Sequence, residues 1–234
     1  MKKLILLATT VLTLTQTAKA QIHFGPEIGA TYSTLQYENS AQGVGTSSSA
    51  GLGIKVGGIL EVPFSNHCYF QPGLFWDMRN SDASETYLNN THFDYSYHIN
   101  SIEVPVNFIL KTHQEGHHRL WFGVGGYAAV GLGGRIETTD HNDVPYTYYA
   151  GSTVTLSDRI DYGDNTLSGM STFDFGAQAN IGFEFPVGLF IRAAYSRGFM
   201  NRAPSGFSNL TYTPSSISLS IGYLFGGDRN YIIP

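Results

Sequence analysis

The sequence predicts an all-β fold, an eight-stranded antiparallel up-and-down transmembrane β-barrel. Three observations carry this. Eight segments alternate apolar and polar residues with a period of two, and the connections between them alternate short and long. Only 13% of residues are charged, about half the share usual in soluble domains, while Gly (27), Tyr (15) and Phe (15) are abundant.

The first segment, about 22–37, sets Phe24, Ile28, Ala30 and Tyr32 against Glu27, Gly29, Thr31 and Ser33. The second, about 51–62, sets Leu52, Ile54, Val56, Leu60 and Val62 against Gly53, Lys55, Gly57 and Glu61. The third, about 68–79, opposes Phe70, Leu74, Trp76 and Met78 to Gln71, Gly73, Phe75 and Asp77. The fourth, S-I-E-V-P-V-N-F-I-L at 101–110, places Ile102, Val104, Val106, Phe108 and Leu110 on one face and Glu103, Pro105 and Asn107 on the other. The fifth, about 119–132, divides Leu120, Phe122, Val124, Ala128, Val130 and Leu132 from Trp121, Gly123, Gly125, Tyr127 and Gly131. The sixth, about 172–185, divides Phe173, Phe175, Ile181 and Phe183 from Asp174, Gln178, Asn180 and Glu184. The seventh, about 189–197, carries Ile191 and Tyr195 opposite Arg192 and Ser196, and the eighth, about 215–225, carries Ile217, Leu219 and Ile221 opposite Ser218, Ser220 and Gly222.

Connections 63–67, 111–118 and 186–188 are short, whereas 38–50, 80–98, 133–171 and 198–214 are long. That is the outer-membrane arrangement of short periplasmic turns and long exterior loops. A soluble lipocalin-like barrel would turn the same faces round. The polar set is mainly Gly, Ser, Thr, Asn and Gln, too poor in Lys and Glu for a wet surface, and the bulky apolar set would overfill an eight-stranded interior. The apolar face is therefore expected in lipid.

The chain opens M-K-K, continues through an apolar stretch from Leu4 to Leu14 and reaches Ala18-Lys19-Ala20, the pattern of a secretory signal. Residues 1–20 are expected to be a cleaved signal peptide and 21–234 one barrel domain. Taking Lys2, Lys3 and Lys19 from the 13 basic residues leaves 10 against 18 acidic, a balance of about −8 that argues against nucleic acid. The single cysteine, Cys68, permits no internal disulfide.

E-V-P-V-N-F (103–108), F-G-V-G-G-Y (122–127), F-D-F-G-A-Q-A-N-I-G-F-E-F (173–185) and I-S-L-S-I-G-Y-L-F (217–225) resemble the strands of the PorT-like outer-membrane β-barrel proteins of Bacteroidetes-type bacteria. The resemblance spans nearly the whole mature chain and implies an outer-membrane barrel. One member is linked to protein secretion, so it also implies a possible envelope protein partner. Phe225 suits a terminal aromatic recognised during barrel insertion, although residues 226–234 follow it.

Glu27, Lys55, Glu61, Asp77, Glu103, Asp174, Glu184 and Arg192 all fall on the lumen side, where charges must pair to be tolerated, and are expected to form a structural polar network. No catalytic residues are expected. The nearest Ser/His candidate, His98 and Ser101, lies on opposite strand faces. His113, His117 and His118 with Glu115 have metal-ligand chemistry but read as an exposed turn, and Asp140 to Asp164 lack the oxygen spacing of a calcium loop, so no metal or cofactor is expected. Tyr87, Tyr95 and Tyr97, and Tyr146, Tyr148 and Tyr149, enrich the long loops. They are contact candidates for a protein partner, or pack together to close the barrel mouth.

Overall fold

The computed structural model describes residues 22–41, 44–87, 92–112, 117–141, 153–162, 169–203 and 209–226. The expected signal peptide and Gln21 lie outside them. Eight long strands form the ring: β1 (His23–Asn39), β2 (Val44–Pro63), β3 (Cys68–Tyr87), β4 (His92–Lys111), β5 (Arg119–His141), β9 (Phe173–Glu184), β10 (Leu189–Gly198) and β11 (Leu210–Tyr223). Each pairs antiparallel with its neighbour, and β1 pairs with β11 from Glu27↔Gly222 to Asn39↔Leu210, so no edge remains in the ring. A closed ring is what lipid demands, because hydrocarbon offers an open sheet edge no hydrogen-bond partners. Three short strands lie at the long-loop end: β6 (Thr153–Arg159), which extends the β5 hairpin, and β7 (Asp161–Tyr162) paired with β8 (Gly169–Met170).

The strands run further than their apolar-out alternation predicts, most of all β2, β3, β4 and β5 at the long-loop end. Much of 38–50, 80–98, 133–171 and 198–214, expected as loop, is strand. The physical reason is a change of phase. On β1 the outward set is apolar through Tyr32 and then becomes Thr34, Gln36 and Glu38, while the inward set changes from Glu27, Thr31 and Ser33 to Leu35 and Tyr37. The outward residues of β3 pass from Leu74, Trp76 and Met78 to Asn80, Asp82 and Ser84, and its inward set acquires Ala83. β4 and β11 switch likewise, bringing Tyr97, Ile99, Leu210 and Tyr212 inside. These four strands are thus apolar outside where lipid surrounds them and apolar inside where water does. Bulges accompany the switch: β2 carries an extra residue between Ala50 and Ile54, and β5 carries Leu132 as an extra residue opposite Asn100–Ser101.

Inward glycines make room for inward aromatics. Trp121 lies opposite Gly182, Phe190 opposite Gly222, Phe75 opposite Gly57 and Tyr127 opposite Gly176. A Cβ at position 182 would stand 2.1 Å from the Trp121 ring, and one at 222 would stand 2.3 Å from that of Phe190. At the short-turn end the Pro186-Val187-Gly188 connection closes with Gly188 at φ 92°, where a side chain would be strained, and the Gly188 N–H donates to the Phe185 carbonyl at 2.9 Å.

The phase change gives a direct test on one face of one strand. Ile28→Arg, in the lipid-facing band, is expected to cost roughly 2–4 kcal/mol. Gln36→Arg, eight residues further along the same outward face, is expected to stay within about 0.5 kcal/mol of wild type. Denaturant unfolding in lipid vesicles measures both, and similar costs would remove the membrane boundary from between them.

Candidate functional site

The lumen begins at the short-turn end with a run of contacts that touches every strand of the ring. Ser220 of β11 donates to Glu27 of β1 at 2.6 Å, and Glu27 pairs with Arg192 of β10 at 3.3 Å. The Arg192 guanidinium donates to Gln71 of β3, whose amide donates to Glu61 of β2 at 3.0 Å. Lys111 of β4 bridges Glu61 at 2.5 Å and Glu184 of β9 at 2.7 Å, and Glu184 also receives Arg119 of β5. Arg119 donates to the Tyr69 hydroxyl at 3.1 Å. All these side chains except Tyr69 are polar, and all are buried.

A second group lies deeper. Glu103 accepts from Lys55 at 2.6 Å and from Arg79, and Arg79 also pairs with Asp77 at 2.6 Å. The Tyr127 hydroxyl donates to Asp174 at 2.9 Å. Asn107 Oδ1 accepts from Gln178 at 2.7 Å and from Asn180 at 3.1 Å. A void of about 10 Å³ remains among Thr31, Lys55, Asp77, Arg79 and Gln178, room for about one water. Six buried carboxylates, Glu27, Glu61, Asp77, Glu103, Asp174 and Glu184, thus share the interior with Lys55, Arg79, Lys111, Arg119, Arg192 and Arg202.

The eight charged residues expected in the lumen all lie there. Glu27 meets Arg192 and Lys55 meets Glu103 directly, whereas Glu61 and Glu184 are joined through Lys111, and Asp77 reaches Glu103 through Arg79. Asp174 joins none of the other seven directly among these contacts. The sequence reading missed Arg79, Lys111, Arg119, Gln71, Asn107 and Glu85 as partners. Lys111 falls in the expected turn 111–118 and Arg119 at the first position of the expected fifth strand, yet each has the inward parity of its strand.

Above the polar lumen, Leu35, Tyr37, Ala83, Tyr97, Ile99, Ile136, Ile160, Met170, Leu210 and Tyr212 form an apolar cluster across the bore. Ile160 and Met170 come from the segment between β6 and β9, and the Ile160 N–H donates to the Gly134 carbonyl at 3.1 Å. Glu85 is buried at this end in a cage of donors: the hydroxyls of Tyr37, Tyr87 and Tyr95 and the amide of Asn39. Tyr37 stacks on Tyr95 with ring centroids 5.9 Å apart, and Tyr97 meets Tyr212 at 6.1 Å. Tyr97, expected either as an exterior contact candidate or as packed to close the barrel mouth, is 2% exposed and turned inward into the mouth cluster, because above the membrane the apolar face of the strand is the inner one. Tyr95 packs partly buried against the cluster and Tyr87 stands at its margin. Tyr146, Tyr148 and Tyr149 lie outside the described residues, as do His113 and Glu115. His117 and His118 are exposed, with His118 stacked on Phe183 at 5.7 Å, and among the described residues no group of three metal-ligating side chains forms. His98 faces outward and Ser101 inward, so they do not meet.

A model of the outer membrane protein beta-barrel domain matches residues 15–203. The chain belongs to that family. For this outer-membrane barrel the lipid-facing band and the closed ring describe one arrangement, with the protein in the outer membrane. Among solved structures it is similar to Ail, the attachment invasion locus protein of Yersinia pestis, at 12% identity and TM-score 0.40, covering 89% of this chain and 100% of that one. It is also similar to OprG of Pseudomonas aeruginosa, at 11% identity and TM-score 0.45, covering 88% and 96%. A third likeness is to Neisserial surface protein A, at 9% identity and TM-score 0.37, covering 86% and 97%. No curated protein matches the chain.

Removing one member of a buried ion cluster strands the others. Glu184→Leu leaves Arg119 without its carboxylate and Lys111 with Glu61 alone, and is expected to cost about 3–5 kcal/mol in vesicle unfolding. Loss within the range of an exposed substitution would show the cluster to be dispensable.

The mouth tyrosines supply a pH test, since their strand levels carry polar outward residues and stand clear of the bilayer. Burial, and then the Glu85 carboxylate, holds the Tyr95 hydroxyl well above the ordinary tyrosine range, and burial pushes Tyr212 up to about 12. Below about pH 10 the hydroxyls are protonated in folded and unfolded chains alike. As pH rises further the unfolded chain ionises first, so the mouth loses stability from there upward. Absorbance titration at 295 nm is expected to show these hydroxyls ionising later than exposed tyrosines and together with loss of the folded mouth. Ionisation of every tyrosine near pH 10 without unfolding would contradict it.

Proposed function

We propose that this barrel is a non-conducting outer-membrane protein with a side-chain-filled lumen, acting as a structural or contact-making surface protein through its projecting mouth and long loops. It carries out no enzymatic step and takes no cofactor. The observation that carries the reading is the combination of paired lumen charges, packed around a void of about 10 Å³ between Thr31, Lys55 and Asp77, and an apolar cluster across the outer end. An ion crossing this path would have to part Lys111 from Glu61 and Glu184, then displace packed aromatics, which works against a small pore. The polar outward faces above the bilayer, including Gln36, Glu38, Asp82 and Ser96, support exposure of this end to an aqueous exterior.

A second reading, a subunit of an envelope secretion or assembly machine, is favoured by a groove of about 560 Å³ on the lipid face. Pro26, Gly58 and Pro72 leave it open between Phe24, Leu60 and Leu74. Small residues on a membrane-facing surface let another transmembrane element approach closely. The strand motifs likewise support placement among the PorT-like barrels. Crosslinking in native membranes separates the readings: stoichiometric partners recovered through this face favour the machine, and recovery of the barrel alone favours the freestanding protein.

Purified protein in planar bilayers is expected to show no stable, porin-sized conductance. Steady openings from a homogeneous preparation would overturn the filled lumen.

A further inference from the structure

A row of basic side chains crosses the outer surface just above the apolar band. His98 of β4 lies opposite Arg135 of β5, and Arg135 lies opposite Arg159 of β6. All three are exposed. Two guanidiniums directly opposite each other on paired strands repel and weaken the pairing. Glu137 stands 3.6 Å from Arg135 and offsets part of that charge, while Asp158 accepts from the Arg159 backbone N–H at 2.8 Å. Arg135 nevertheless remains 64% exposed on its side chain. The His98 Nδ1–H donates to Asn80 Oδ1 at 2.9 Å, so Nε2 is the nitrogen turned to a ligand, accepting from a headgroup hydroxyl in the neutral ring and donating to a phosphate oxygen only when the ring is protonated.

Immediately below, the β5 bulge opens a hollow of about 580 Å³. Its walls include Trp76, Asn100, Leu132, Gly134, Arg135 and Arg159. A Cβ on Gly133 would meet nothing within 4 Å. Trp76 and Leu132 are outward members of the lipid-facing set, so the hollow has a greasy floor at the top of the membrane band and a basic rim one step further out. That depth is where lipid headgroups lie, and an aromatic side chain at the interface is the usual anchor there. Guanidiniums match phosphate oxygens through paired N–H donors, and an anion between Arg135 and Arg159 turns their repulsion into attraction.

We propose that Arg135, Arg159 and His98 bind the phosphorylated headgroup of an outer-leaflet lipid, whose acyl part runs down over Trp76 and Leu132. The site depends only on the placement of the barrel in the outer membrane and not on what its mouth contacts.

Native mass spectrometry of the full purified barrel in detergent tests this, with diphosphoryl lipid A as the probe and the same glycolipid stripped of phosphate as its counterpart. The wild type is expected to retain the phosphorylated lipid at least about tenfold better, and joint Arg135→Gln and Arg159→Gln to lower that retention by about the same factor. Arg197→Gln removes another exposed cation, on β10, and is expected to leave retention unchanged. Equal retention of the two lipids by the wild type overturns the site without any substitution, so the result stands whether or not the double variant folds. Unchanged retention in the folded double variant, or an equal loss in Arg197→Gln, overturns it as well. Displacement of the lipid by millimolar inorganic phosphate would mark a free-anion site and overturn the lipid assignment.

Discussion

Charges buried in a narrow barrel must find partners, and in this molecule the partners come from different strands. From Ser220 through Glu27, Arg192, Gln71, Glu61, Lys111 and Glu184 to Arg119, the contacts draw one residue from each of the eight strands of the ring. The backbone ladder fixes which strands are neighbours. The network does something the ladder cannot, because its links cross the bore and tie strands that share no ladder. A desolvated carboxylate is costly alone and tolerable with a cation and further donors. Register is therefore specified twice, since a slip by one residue would send Glu61 or Glu184 into hydrocarbon and Leu60 or Phe183 into the network.

Beyond the bilayer the same strands obey the opposite rule. Water replaces lipid outside, so the outward positions become Gln36, Glu38, Asp82 and Ser96, and the inside becomes apolar around Tyr97, Ile136 and Tyr212. Glu85 is a buried acid of a different kind from those below. Its oxygens are met by tyrosine hydroxyls and an amide instead of a guanidinium or ammonium group. The upper part is built like a small soluble barrel resting on a membrane one.

The number of ring strands, their faces and the eight inward charges were legible because period-two alternation survives wherever one face meets lipid. Ile102 to Leu110 against Glu103, Pro105 and Asn107 shows that pattern in five repeats. Strand ends were not legible, since the alternation changes phase near Tyr32, Met78 and Ile102, and a search for apolar-out residues stops there. The bulge at Leu132 hid the upper part of β5 in the same way, shifting Ile136 to the inward parity. Cross-bore partners were beyond reach for another reason: periodicity says that Lys111 and Glu184 both face in, but only the assembled ring says that they meet.

The clasp of Glu27 with Ser220 and Arg192 has a consequence for how the chain comes together. Ser220 and Glu27 are 193 residues apart in sequence, and β1 and β11 can join only after everything between them has been laid down. Contacts of such long range are slow to form, because chain entropy is lost before they repay it. Until they form, Glu27 and Arg192 face a half-open sheet and hold water that lipid will not accept. The ion pair that steadies the finished ring thus raises the energy of every intermediate in which the ring gapes, and leaves partly inserted forms little chance to accumulate.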